Sequence, residues 1–391
     1  MKKCFSFALA LLMGLSPCGC SEKDPTPTEP PSPYSASNAD ISHLNNLYAS
    51  RNVLHGQLHE HGKTGRRSDG KTTLEEWKAG LTALKLDFVA ILDHKQTDHM
   101  YHNDWDPTMF ICGTEPGTYI TDRNPLSNKF HYNMIFPDVK DMEKVLNAFP
   151  EYNFADGLFN YPNFTSDRFV ELIRAVKAAG GLFVIPHPYQ VWETTSEDPL
   201  DYYFCDEVGI EVFYHAHDTI SAYNDKWSSQ NYTLWTSLLD LGKRVWATAG
   251  ADSHNLPTDR ALTTVYAVQQ LNTSILSHLR VGDFTAGPVG IRMAIGNTAM
   301  GGTGSFENAR LVFSVGDFFE TYADPTHTYR VVVRDNKGIV FRQDISCQTT
   351  TYFAMDVDEN AKYYRIEIYD TSLDYPLLAL GQPIWNEAFY N

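Results

Sequence analysis

The sequence is poor in cysteine, in positive charge and in long apolar runs. Six cysteines among 391 residues are too few for a disulfide framework. Lysine and arginine number 31 against 48 acidic residues, a formal net charge of −17. This balance excludes a protein that coats nucleic acid, because such proteins need a basic face. It does not exclude a small anionic substrate, since a local site can be positive on an acidic protein.

The chain nevertheless has many apolar residues, although no apolar run is long enough to span a membrane. Hydrophobic residues make up 43% of the chain, enough for a sizeable core. The run at 5–15 follows Lys2 and Lys3 and is too short to cross a bilayer, which is the pattern of an export signal. Three of the six cysteines lie in this leader, so at most one intramolecular disulfide is possible in the remainder.

The leader ends at cysteine, in a pattern similar to that of bacterial lipoproteins. We therefore expect residues 1–20 to be a lipoprotein signal peptide with Cys20 as the lipidated residue, Cys18 being the alternative. Residues 21–40 are rich in proline and predict an extended tether. The expected location is outside the cytoplasm, anchored to the cell envelope by lipid alone, either in the periplasm or on the outer-membrane surface. An ordinary secretory peptide is the other interpretation of the leader.

Between residues 41 and 290, short apolar runs alternate with amphipathic segments. Thr73 and Glu76 form a capping-box pattern at the start of one such segment. The predicted strands are 54–59, 88–92, 109–112, 132–136, 182–185, 208–213 and 245–249, and the predicted helices are 74–85, 167–179, 231–241 and 274–281. This alternation favours a parallel α/β barrel. From 291 to 391 the apolar residues alternate with period two, which predicts a smaller, all-β, sandwich-like domain.

Imidazoles and carboxylates recur directly after the predicted strands. Barrel enzymes assemble their sites at those strand ends, so we expect the side chains to converge. His131 differs, because it precedes its strand. So many histidines and acids at one mouth indicate divalent metals, and mixed nitrogen and oxygen ligands suit zinc, iron or manganese. The residues concerned are His59, His61, Asp69, His94, Glu115, His131, His187, Asp252 and His254.

The order of these motifs across residues 52–290 resembles the PHP (polymerase and histidinol phosphatase) family. The motifs are His59-Glu60-His61, Ser68-Asp69-Gly70, Asp93-His94, Gly113-Thr114-Glu115, His131, Pro186-His187-Pro188 and Asp252-Ser253-His254. The resemblance implies a distorted (β/α)7 TIM-like barrel, two or three metals, and hydrolysis of phosphoesters. It also implies that the nine residues named above are the metal ligands.

The chain departs from the family pattern in two loops. The loop between His61 and Asp69 is longer than usual and carries Lys63, Arg66 and Arg67. These three are candidate phosphate contacts, and a solvated basic loop is the alternative. In the second loop Lys95 follows His94, where an uncharged or acidic residue is commoner.

The expected reaction is hydrolysis of a phosphomonoester or phosphodiester at a trinuclear site. A metal-bridging hydroxide, with Glu115 as the other bridge, would attack phosphorus in line. A metal-bound water, Asp252 or His254 would protonate the leaving oxygen. Glu211, within the predicted strand 208–213, is expected to support the site from behind. An aromatic-rich insertion at 137–166 is expected to cover the mouth and shape specificity.

Two other functions remain open at this point. One is an amidohydrolase-type metal enzyme that cleaves C–N or C–O bonds, although the Gly-x-Glu and Asp-x-His motifs speak against it. The other is a non-catalytic surface lipoprotein that binds metal or glycan. The expected partner is a small phosphorylated substrate, with no stable nucleic-acid partner. His215-Ala216-His217 also follows a predicted strand, and packing or substrate contact is preferred there over metal binding.

Overall fold

A computed structural model describes residues 34–123, 130–189, 198–214, 223, 226–255, 257–373 and 376–390. Ser35–Asn391 gather into one compact unit. The helices of the described residues, α1 to α6, are Asn38–Leu47, Leu74–Leu84, Val139–Ala148, Ser166–Ala178, Lys226–Asp240 and Asn272–Leu279. The strands, β1 to β22, are Asn52–Glu60, Phe88–Ile91, Phe110–Thr114, Gly117–Ile120, Phe130–His131, Asn133–Phe136, Asn163–Phe164, Leu182–Ile185, Val208–Tyr214, Val245–Gly250, Thr263–Ala267, Phe284–Ala286, Gly290–Ile295, Thr298–Ala299, Thr303–Gly304, Arg310–Gly316, Tyr329–Asp335, Gly338–Ile345, Thr351–Asp356, Tyr363–Asp370, Leu377–Gly381 and Ile384–Asn386.

The predicted strands of the first part lie side by side in the order β10-β9-β8-β6-β3-β2-β1. Their apolar runs are buried on both faces, as continuous hydrophobic strands require. The neighbours are parallel except at β6, which runs antiparallel to both β3 and β8. The described residues between β3 and β6 contain only short strands, whereas a parallel pairing needs a long crossover connection. The expected all-parallel arrangement is therefore wrong at this strand.

The two ends of this run of strands meet only at one rim. Glu60 of β1 forms an isolated bridge with Ser253, just beyond β10. Two backbone hydrogen bonds accompany it, from His61 N to Ser253 O at 3.0 Å and from Asp252 N to His59 O at 2.8 Å. Among the described residues no continuous ladder closes the ring, so the predicted barrel is present as a mixed α/β sheet rather than a closed cylinder.

The other edge of β1 leads into the C-terminal strands. It pairs with β11, and the sheet continues through β12, β21, β20 and β17 to β18. A second sheet has the order β14-β13-β16-β19. The predicted all-β character of the C-terminal region is confirmed, although one sheet runs across the expected boundary at 290/291.

The predicted tether ends earlier than residue 40. Ser35 bridges to Phe353, and Ser37 forms a capping box with Asp40 at the start of α1. Residues 35–40 therefore belong to the folded unit, because the capping box starts a helix that buries Leu44. None of the described helices is long and apolar enough to cross a membrane.

Helix α2 lies behind the strand ends that carry the first histidines. Thr73 and Glu76 form the predicted capping box, with Thr73 N donating to Glu76 Oε2 at 2.8 Å. One turn later the buried Trp77 donates from Nε1 to His61 O at 3.3 Å. The start of α2 is thereby tied to the backbone of a predicted ligand.

Replacing Thr73 by Ala should lower the free energy of unfolding by about 1 kcal/mol, because the hydroxyl that accepts from Glu76 N and donates to Glu76 Oε2 is lost. Denaturant unfolding followed by circular dichroism measures the change. Thr82→Ala is the matched control, since its exposed hydroxyl bonds only to Lys78 O within the same helix. Equal stabilities of the two variants would contradict this account of the cap.

Candidate metal centre

The strand ends bring the predicted ligands to one rim of the sheet. His59 lies in β1. His94 follows β2 after two residues, and Glu115 directly follows β3. His131 precedes β6, and the reversed direction of β6 places its start beside the ends of its neighbours. His131 therefore reaches the same rim from the start of its strand because β6 is antiparallel to its neighbours.

The described residues contain three groups of side chains that could each hold a metal ion. Within each group the potential ligand atoms lie within 4.8 Å of one another. Together the groups contain all nine residues implied by the family resemblance. They are His59, His61, Glu115 and Asp252; Glu115, His131 and His187; and His61, Asp69, His94 and His254.

Glu115 joins two of these groups through its two oxygens. Oε1 lies 2.9 Å from His131 Nδ1 and 3.1 Å from His187 Nε2. Oε2 lies 3.1 Å from His61 Nε2 and 3.3 Å from His59 Nε2. Only 1% of the side chain is exposed. Burial raises the pKa of this carboxyl, but the surrounding imidazoles outweigh burial and hold it well below its usual range.

Asp252 completes the first group from an unusual backbone conformation. Its Oδ1 lies 3.0 Å from His61 Nε2 and 3.5 Å from His59 Nε2. Its φ is 51°, in the left-handed region that non-glycine residues seldom adopt. The surrounding contacts hold it there, since Tyr214 Oη donates to Asp252 Oδ2 at 3.4 Å and the rim hydrogen bonds fix the backbone.

The third group is the most open of the three. Asp69 Oδ2 lies 3.5 Å from both His94 Nε2 and His254 Nε2, so the long loop still returns Asp69 to the rim. The side chain of Asp69 is 53% exposed and that of His254 is 31% exposed. A neutral imidazole has one lone pair, so His61 can serve only one group. Its Nε2 faces Glu115 and Asp252, which assigns it to the first group.

The arrangement fits divalent cations. The buried atoms His59 Nε2 and His61 Nε2 have no hydrogen-bond partner within the described part of the chain, and neither has Asp252 Oδ1. Asp252 Oδ1 lies 3.0 Å from His61 Nε2 and 3.5 Å from His59 Nε2, so potential ligand atoms of both kinds converge here. Unsatisfied buried polar atoms are costly, and a cation among them removes the cost. The imidazole and carboxylate donors suit zinc, iron or manganese.

Glu211 supports the centre from behind, as the sequence suggested. Its Oε1 lies 3.0 Å from His59 Nδ1, and its Oε2 accepts a hydrogen bond from His187 N at 2.8 Å. It therefore orients the ring of His59 and the backbone of His187 together. Gly250 makes room for this contact, because a Cβ there would lie 2.5 Å from Glu211 Oε1 and 2.4 Å from His59 Cβ.

Two further buried carboxylates were not predicted. Glu60 accepts hydrogen bonds from Ala251 N at 3.2 Å and Ser253 N at 2.8 Å, which holds the loop that carries Asp252. Burial raises the pKa of Glu60 to about 8. Asp93 accepts from Gly62 N at 2.7 Å. Their positions, between the histidines of the first motif and directly before His94, were the signal that could have identified them.

In the structure the basic loop is attached to its neighbours. Arg66 Nε donates to Asp98 Oδ2 at 2.7 Å, and Arg67 donates to Phe159 O. Arg66 also donates to Asp156 O, so the two arginines tie the loop to the aromatic segment 153–161. Lys63 is exposed. The prediction that these three residues contact phosphate stays a prediction.

Other predicted features lie partly outside the described residues. His215 and His217 are not among the described residues, and the same holds for Cys18 and Cys20. Within the insertion at 137–166, residues 139–148 form α3, which the sequence pattern did not predict.

No protein-family model and no curated protein sequence matches the chain. Among solved structures, one of a two-domain protein from Bacteroides vulgatus containing a predicted PHP-like metal-dependent phosphoesterase is similar at a TM-score of 0.38. The two sequences are 14% identical, and the match covers 86% of this chain and 96% of that one. A lesion-specific endonuclease from Pyrococcus furiosus matches at a TM-score of 0.37 and 13% identity, over 59% of this chain and 56% of that one. An amidohydrolase from Chromobacterium violaceum matches at a TM-score of 0.36 and 15% identity. The match covers 52% of this chain and 89% of that one. Similarity at this level assigns no activity.

The Glu211→Gln variant should bind its metals about 10- to 100-fold more weakly, because the amide supports the ring of His59 less well than the carboxylate. Titration of the metal-free protein with zinc measures the affinity. Glu207→Gln is the matched control, since Glu207 lies just before the same strand and pairs with Lys177 at the surface. Unchanged affinity in Glu211→Gln would show that the contact does not support the centre.

Metal binding should release about one to two protons near neutral pH. Burial lowers the pKa values of His59 and His61, but the nearby carboxylates outweigh it and raise that of His61 to about 10. The ring of His61 is therefore protonated at pH 7 without a cation, and affinity should fall as the pH is lowered.

Calorimetric titrations in buffers of different ionisation enthalpy count the protons. His61→Asn should release fewer, and binding heats that do not depend on the buffer would contradict the expectation.

Proposed function

We propose that the protein is a metal-dependent phosphoesterase of the PHP type, which hydrolyses a phosphomonoester or phosphodiester at a centre of up to three cations. The observation that carries the proposal is Glu115, whose two oxygens face different groups of histidines at 2.9–3.3 Å. A carboxylate in this position would hold a cation with each of the two groups it joins. The order of motifs that resembles the PHP family gives separate support.

When bound, divalent cations lower the pKa of coordinated water and neutralise charge on phosphoryl oxygens. The protein's own residues set the geometry around them. His59, His131 and His187 are buried and fix the inner positions, whereas Asp69 and His254 are partly exposed. This gradient of exposure supports entry of the substrate from the side of the third group.

His254 is the residue of the centre best placed to reach a leaving group. Its ring stacks on His61 with centroids 4.2 Å apart, and its Nδ1 lies 3.0 Å from Asp252 O. That contact leaves Nε2 facing the exposed side, where Asp69 lies 3.5 Å away. A ring nitrogen that holds a cation carries no proton, so His254 would protonate the leaving oxygen only in a centre of two cations, with the third group empty. Under that condition we favour His254 over Asp252, since Asp252 Oδ1 faces His59 and His61.

The proposal includes export and a lipid anchor at Cys20. The support is the residue pattern of the leader alone: a short apolar run after two lysines, ending at cysteine. In that location a small phosphorylated substrate would meet the enzyme outside the cytoplasm.

Phosphate release by the purified, metal-loaded protein tests the proposal directly. With p-nitrophenyl phosphate and bis-p-nitrophenyl phosphate as substrates, we expect turnover of at least one, and loss of at least about 100-fold after chelation or in His59→Ala. His102→Ala is the matched control, because that histidine is exposed and pairs only with Asp104 in the described structure.

Two results would overturn the proposal. A protein that holds its metals yet cleaves neither ester would indicate a binding role. Release of ammonia or carboxylate from amide and carboxylic-ester substrates, without phosphate release, would favour the amidohydrolase alternative.

A further inference from the structure

Lys95, the residue after His94, has an unusual backbone conformation. Lys95 has a φ of 55°, in the left-handed region, and is only partly buried. Its carbonyl accepts a hydrogen bond from Phe159 N at 3.1 Å, and Thr97 N donates to Gly157 O at 2.8 Å. A lysine gains nothing from this backbone conformation, so the contacts with the aromatic segment must hold it.

The same contacts set the ammonium of Lys95 over an aromatic ring. Lys95 Nζ lies 4.5 Å from the centroid of the Tyr161 ring. The Tyr161 ring in turn lies 6.1 Å from that of His131. Gly117 permits this approach, because a Cβ at that position would lie 3.1 Å from the Tyr161 ring and 3.2 Å from His131 Cδ2. The ammonium of Lys95 is thus held on a ring that itself lies next to His131, a member of the second group.

An additional cation at the rim would offset the negative charge of the buried carboxylates around the centre. Besides the carboxylates of the three groups, Asp93 and Glu211 are buried next to the strand ends that carry the histidines. They reduce the positive excess that the metals would otherwise offer to an anionic substrate. The guanidinium groups of Arg66 and Arg67 are engaged with the loop at 98 and with the aromatic segment. Lys95 directly follows the predicted ligand His94 and adds a further cation at this rim.

We infer that Lys95, held by Tyr161 at the rim of the centre, is a substrate-positioning residue that favours phosphomonoester dianions over phosphodiesters. A monoester carries one more negative charge and an additional unesterified oxygen, so an ammonium beside the metals stabilises it more. This inference rests on the proposed function, and it narrows the substrate class of the same site.

The test compares Lys95→Met with Lys85→Met, a surface lysine that pairs with Glu320. Both variants should keep the metal content and thermal midpoint of the wild type. In Lys95→Met, kcat/KM for p-nitrophenyl phosphate should fall about 10- to 100-fold, while that for bis-p-nitrophenyl phosphate should change less than about 3-fold. The affinity of the metal-loaded protein for inorganic phosphate, measured by calorimetry, should fall about 10-fold or more.

Further variants keep the inference falsifiable if Lys95→Met folds poorly. Lys95→Arg should retain most of the preference for monoesters, and Tyr161→Leu should weaken it in the same direction as Lys95→Met. An equal loss for both esters, or an unchanged phosphate affinity, would overturn the inference. If the wild type cleaves neither ester, the proposed function fails, whereas the phosphate affinities still decide whether Lys95 binds the anion.

Discussion

The structure depends on one electrostatic constraint: a buried carboxylate surrounded by imidazoles at close range. Glu115 lies within 3.4 Å of five histidine rings, with almost no access to solvent. Without a cation, the groups must share protons to avoid unpaired charge, and this is why burial and the neighbouring charges shift their pKa values in opposite directions. Divalent cations satisfy oxygen and nitrogen lone pairs together, and the fold is arranged around that requirement.

The scaffold meets this constraint mainly through its backbone. β6 runs against its neighbours, so that a residue at its start reaches the rim that the other strands reach with their ends. The ring of strands is joined only where Ser253 meets β1, and Glu60 holds that junction through the amides of Ala251 and Ser253. The left-handed conformation of Asp252 is therefore held by the same contacts that join the sheet. A change that weakens this junction is therefore expected to disturb the position of Asp252 in the centre as well.

Much of this was predictable because strand ends and chemistry coincide in the sequence. Short apolar runs identified seven strands, and imidazoles or carboxylates directly after at least four of them predicted the rim. The reversal of β6 was not predictable, since a short apolar run does not reveal its direction. The partners of Arg66 and Arg67 were not predictable either, because Asp98 and Phe159 approach that loop only in the folded chain. Glu60 and Asp93 were overlooked, since an acid beside a ligand motif resembles a ligand or a spacer.

The departures from the family pattern lie on the side of the centre that faces solvent. The long loop after His61 is attached by its arginines to the segment 153–161, and that segment is in turn attached to residues 95–97. The loop, the insertion and Lys95 therefore form one connected rim, whereas the inner groups keep the positions that metal binding requires. Metal chemistry constrains the interior and leaves little room for variation. Under the proposed function, selection among anionic substrates would come from this rim, where charge and ring stacking can change without disturbing Glu115.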